Sequence, residues 1–101
     1  MNAVVNKLNT PVNKKKTSKK YEFTGEMDFA TGLILYRIRA LRDFDDVKAG
    51  DLGGYIEDES NLSHEGNCWV YDKARVFQNA RVSGNAKVKN FFVDVCGNAK
   101  I

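Results

Sequence analysis

Apolar positions return every six residues along the second half of the chain. Cut in sixes from Asn61, the sequence runs NLSHEG, NCWVYD, KARVFQ, NARVSG, NAKVKN. The second slot holds Leu62, Cys68, Ala74, Ala80 and Ala86, always apolar and mostly small. The fourth holds His64 and then Val70, Val76, Val82 and Val88. Neither a helix nor a plain strand has this period, so the repeat dictates the architecture. A hexad builds one short flat face, about three hexads close a triangular coil, and successive coils stack by parallel pairing. Valine suits the stacked wall because its branched side chain fits a pleated surface, and alanine or cysteine fits the tapering corner. Asparagine in the first slot suits a turn, as do Gly66, Gly84 and Gly97. The expectation is an all-β protein, a short left-handed triangular β-helix over 55–101. The beat slips by one residue between Val88 and Val95, which predicts a bulge in KNFFVDV.

Ahead of the hexads the pattern changes. YEF, TGEMDFATG and LILYRIRAL read as strand, loop and strand, giving a β head over 21–54. Ile34, Tyr36, Ile38 and Ala40 share one face of the second strand, with Arg37 and Arg39 on the other. RDFDDVKAGDLGGYI follows as a turn-rich connection, where aspartates bond nearby backbone N–H groups.

Charge divides the chain more sharply than its net +3 suggests. Residues 1–20 carry six lysines and no acid, and their low apolar content predicts a disordered basic arm. Residues 21–66 are acidic, and 67–101 are again basic. Such segregation is not the profile of a uniformly basic nucleic-acid binder, which leaves the arm as the one route to direct nucleic-acid contact. No apolar run reaches the roughly 20 residues of a membrane span, and nothing at the N-terminus resembles a secretory signal. Two cysteines, Cys68 and Cys96, do not make a disulfide framework. A cytoplasmic location is expected.

No catalytic, cofactor or metal motif stands out. His64 is the single histidine, and His64 with Glu65 cannot close a metal site. Hexapeptide β-helices often belong to acyltransferases, which bind an acyl carrier between adjacent subunits and use a histidine base, so that class stays open. Arg75, Arg81 and Lys87 recur at one slot but fall on three different faces of a prism, so they form no stripe. The outward aromatics Trp69, Tyr71 and Phe77, beside Arg75 and Arg81, are candidate protein-binding residues, with packing under the head as the rival account. Glu57, Asp58 and Glu59 form either a solvated turn or an acidic docking patch. A last coil ending at Ile101 exposes unpaired backbone, which predicts an end-to-end homodimer through Phe91, Phe92, Val95 and Ile101.

The segments KKYEFTGE, LYRIRALRDFDDVKAGDLGGYIEDESNLSHEGNCWVYDKARV and the NARVSG-type hexads resemble a family of small phage and prophage proteins. The resemblance covers about residues 19–101 and brings no catalytic residue with it. Its phage context and the chain's small size imply a protein that is not an enzyme and works by protein–protein binding. The expected role is an inhibitor of a host defence system, of the anti-CRISPR kind, with a Cas effector as partner. The alternative is a hexapeptide-repeat acyltransferase-like remnant or a structural phage module.

Overall fold

The computed structural model describes residues 19–89 and 93–101, and these form an all-β protein. Strands β1 (Tyr21–Ala30) and β2 (Leu33–Ala40) make an antiparallel hairpin, and β3 (Leu52–Ile56) adds antiparallel to β2. A 3-10 turn at Glu59–Asn61 follows, then four two-residue strands. These are β4 (Trp69–Val70), β5 (Arg75–Val76), β6 (Lys87–Val88) and β7 (Asp94–Val95).

The segment TGEMDFATG, expected as a loop, is mostly strand. Gly25, at φ 100°, takes up a bulge between Phe23 and Met27, and pairing then resumes to the tip. Thr31 (φ 47°) and Gly32 (φ 81°) make the two-residue turn, with both residues left-handed as a hairpin of this twist requires.

Beyond β3 all pairing among the described residues is parallel and falls into three ladders. Ile56 stands over Val76 and Val76 over Val95. Leu62 stands over Val82, and Arg81 over Lys100. Val70 stands over Val88. The steps are 20 and 19 residues in the first ladder, 20 and 19 in the second and 18 in the third, close to three hexads each. Val70, Val76, Val82, Cys68, Ala74 and Ala80 are all buried, as the second and fourth slots of the hexad require. Each fully buried valine contributes about 1.5–3 kcal/mol through its removal from water.

Two details of the hexad reading need correction. The left-handed corner is the sixth slot, not the asparagine after it: Gly66, Asp72, Gln78 and Gly84 all have φ between 57° and 73°. Gly66 lies so close under the next corner that a Cβ would meet the Gly84 carbonyl oxygen at 2.5 Å. His64 also does not fill a valine position. Leu62 occupies that rung, and the extra residues before Cys68 loop out, carrying the imidazole away from the stack. The bulge expected in KNFFVDV falls at 90–92, outside the described residues.

The hairpin and the connection after it close the top of the stack. Ile38 and Ala40 pack with Tyr21, Phe44, Val47 and Trp69 against the inward valines. Phe44 and Val47 bridge each other across Asp45 and Asp46 and point their side chains into this core. On the other face of the sheet, Ala30, Leu35, Tyr55 and Phe77 form a second small core. Gly53 and Gly54 let β3 lie close against Val70 and Ala74. A Cβ on Gly53 would fall 2.7 Å from the Val70 carbonyl oxygen, and one on Gly54 would run into the Ala74 carbonyl oxygen.

Two substitutions should therefore act in opposite directions in urea denaturation. Gly54→Ala should destabilise by about 2–3 kcal/mol, because backbone must move to admit the methyl group. Asp72→Gly should stabilise by about 0.5–1 kcal/mol, because relief of the left-handed strain exceeds the added chain entropy.

Candidate functional site

A partly buried group of titratable side chains lies where the first hexad meets the start of β1. Lys20 was expected in a disordered arm, yet its side chain is fully buried. Its Nζ donates to Cys68 O at 2.7 Å and Gly66 O at 3.2 Å, contacts Cys68 Sγ at 3.4 Å, and stands 4.9 Å from the Phe44 ring centre. Three acceptors and an aromatic face replace the water the ammonium has lost. Burial still pulls the Lys20 pKa below the ordinary lysine value, with the nearby Cys68 sulfur acting in the other direction. Tyr21 is buried beside it, and its hydroxyl donates to Leu62 O at 2.6 Å. Burial pushes that phenol well above its ordinary range, with Glu59 adding to the shift.

His64 stacks flat on Tyr21, ring centres 4.0 Å apart. Its Nδ1 accepts from the Lys20 backbone N–H at 3.0 Å, so Nε2 carries the proton and donates to Glu59 Oε1 at 2.7 Å. The Glu59 carboxyl is held below its usual range, first by this hydrogen bond and then by Lys19, 3.3 Å from Oε2. Both ring nitrogens are thus engaged. A general base needs a free lone pair facing its substrate, and here that lone pair is taken by main chain. The imidazole fastens the first hexad to β1.

The structure disperses the remaining sequence candidates. Trp69 and Phe77, for which the sequence left protein binding and packing under the head both open, are 1% and 3% exposed, as the second account requires. The head covers both. Trp69 meets Tyr21 and Phe44 edge-on, at 6.2 and 5.2 Å, and Phe77 lies under Leu35 and Ala30. Tyr71 is half-buried and donates to Asp46 Oδ1 at 2.7 Å. Arg75 grips Asp94 with two hydrogen bonds of 2.8 and 2.9 Å and reaches Asp28 and Phe29 O on the hairpin. Arg81, on another ladder, donates to Ser60 O. Glu57 Oε1 accepts from Gln78 N and Asp58 Oδ2 from Ser60 N, while Asn61 closes a capping box on the same turn. Val95 is half-buried and Ile101 is exposed. Phe91 and Phe92 lie outside the described residues.

Sequence reasoning missed Lys20, Tyr21 and the His64–Glu59 link. A lysine in a lysine run carries no mark of burial, and a contact from Lys20 to Cys68 spans 48 residues. Among the described residues no three His, Cys, Asp or Glu side chains are placed to hold a metal ion, and no enclosed pocket is present. No helix among them is long and apolar enough to cross a membrane.

A stretch of 57 residues is 47% identical to the uncharacterized acetyltransferase YdcK of Escherichia coli (strain K12). It covers 55% of this chain and 18% of that protein, so the chain spans less than a fifth of its relative's length. No family model matches the chain. This finding corrects the expectation that the chain is not an enzyme, because the relative is named as an acetyltransferase. It also favours the acyltransferase-like alternative over an inhibitor of a defence effector.

Alkaline titration checks the buried ammonium. In the interval between the depressed Lys20 value and the ordinary 10.5, the unfolded chain binds more protons than the folded one. Stability contributed by Lys20 should therefore rise as pH climbs through that interval and be lost as pH falls through the depressed value. Urea midpoints of the native chain and Lys20→Met, compared at about pH 7 and about pH 10, should diverge in favour of the native chain. A constant difference would show that the ammonium loses nothing by burial.

Proposed function

We propose that the chain is a hexapeptide-repeat module of the acetyltransferase type, whose three ladders form the faces of a left-handed triangular solenoid. The observation that carries this reading is the 47% identity to a named acetyltransferase over 57 residues. The three ladders, stepping by about three hexads with buried valines on the rungs, support the solenoid part.

Acetyl transfer needs a thioester donor, and the common donor carries a string of phosphates. With no enclosed pocket among the described residues, such a donor would lie along an outer face or between neighbouring protomers. Two of the three outer faces are occupied. One is covered by the hairpin over Tyr55 and Phe77, the other by Tyr21 and Phe44 over Trp69. The face of the second ladder is open, and there Arg81 and Lys100 sit side by side on neighbouring rungs, both exposed. Two adjacent cations in a high-dielectric setting attract phosphate without the cost of burying it. In this reading His64 keeps its place as a fastener and does not act as the base.

Isothermal titration with acetyl-CoA tests the proposal. The native chain should bind with a Kd below about 1 mM, and Arg81→Glu with Lys100→Glu should weaken binding at least about tenfold. Salt should weaken the native complex as well. His64→Gln should lower the melting temperature and leave the Kd within about twofold when measured well below that temperature. Absence of binding at millimolar acetyl-CoA overturns the acetyltransferase reading, and loss of binding in His64→Gln alone overturns the placement on the second ladder.

A further inference from the structure

The hairpin has two faces with opposite characters. On one, every charge is answered: Glu22 pairs with Arg39, Glu26 with Arg37, and Asp28 with Arg75. The other starts well covered, with Ile38, Ala40 and Tyr21 in the main core. Towards the tip it runs out past the stack and stays bare. Phe23 is 38% exposed, Met27 53%, Phe29 63% and Ile34 44%. The register places these residues together, since Met27 lies opposite Tyr36 and Phe29 opposite Ile34, while the Phe23 ring rests 5.2 Å from that of Tyr36.

We propose that this overhanging apolar face is the docking surface for a second copy of the same chain. The inference stands on the hairpin alone and does not depend on the acetyltransferase reading. With roughly 150–250 Å² per aromatic side chain, the exposures leave about 400 Å² of apolar surface per copy. That is the size at which a patch marks an interaction site. Two such patches supply about 800 Å², close to the apolar share of a stable interface of about 1,600 Å². Charge points the same way. The hairpin's acids and arginines are consumed in pairs on the opposite face, so an acidic or basic ligand would find no counter-charge here. A second copy offers the same uncharged surface, and a two-fold contact satisfies both faces at once. The edge strand β1 also gains cover, because among the described residues no strand pairs with its outer side.

Sedimentation velocity of the full chain from about 1 to about 200 µM tests the proposal, with phosphatidylcholine vesicles as a second probe. The native chain should pass from monomer to dimer within that range. Phe29→Thr with Ile34→Thr alters only exposed strand positions, and should keep the native circular dichroism while weakening self-association at least about tenfold. Ile101→Asp, on the end of the second ladder, should leave the dimer intact. A native chain that stays monomeric overturns the proposal, and vesicle binding by that monomer would give the face to lipid. A dimer lost in Ile101→Asp, or unchanged in the double variant, places the contact elsewhere and overturns it equally.

Discussion

Parallel rungs stacked on one another leave a row of main-chain carbonyls at the top with no rung above to donate to them. That row is the constraint on which the head is built. The Trp69 and Tyr71 amides donate to Ala86 O and Val88 O on the rung below, so the carbonyls that alternate with them face the hairpin. Cys68 O and Gly66 O take the Lys20 ammonium, and Leu62 O takes the Tyr21 hydroxyl. Leaving such groups buried and unpaired would cost about 1–3 kcal/mol each. A neutral donor would answer one carbonyl, whereas an ammonium answers several at once and strengthens each bond by its charge. The cost is desolvation of the ammonium, which the Phe44 ring and the Cys68 sulfur offset in part.

Once that lysine is fixed, its neighbours follow. Tyr21 must enter beside it, which gives His64 a flat surface to stack on. The looped-out residues before Cys68 then allow the imidazole to reach back to the Lys20 amide. Glu59 finishes the arrangement by holding the far ring nitrogen. The one histidine of the chain is therefore used up by the joint between head and ladders. With both ring nitrogens engaged, His64 has no free lone pair to act as a base.

The inward half of the architecture was legible in the sequence because burial there is a matter of period. Val70, Val76 and Val82 lie six residues apart and meet the same environment at every corner. What covers the outside is not periodic, so the sequence left open whether Trp69 and Phe77 were bare or covered. Their covers, Tyr21, Phe44, Leu35 and Ala30, come from segments dozens of residues away. The corner was read one slot late for a related reason. Asparagine and the residue before it are both turn formers, and only backbone angles separate the residue that turns from the one that resumes the strand. Gln78 and Asp72 do the turning although neither has glycine's freedom.

Arg75 shows how the two halves constrain each other. It stands on the middle rung of the first ladder, with Tyr55 above and Asp94 below. Its guanidinium is half-buried, its pKa raised first by the Asp94 hydrogen bonds. From there it grips Asp94 and still reaches Asp28 and the Phe29 carbonyl on the hairpin. A planar fork can serve all of these at once, where a lysine could point at one. Strand alternation and the pairing of β2 with β3 fix which hairpin face meets the core, and Arg75 ties the tip of β1 from the other face. The core-side face is buried at Tyr21, Ile38 and Ala40 and bare at Met27, Phe29 and Ile34, where the hairpin runs past the ladders.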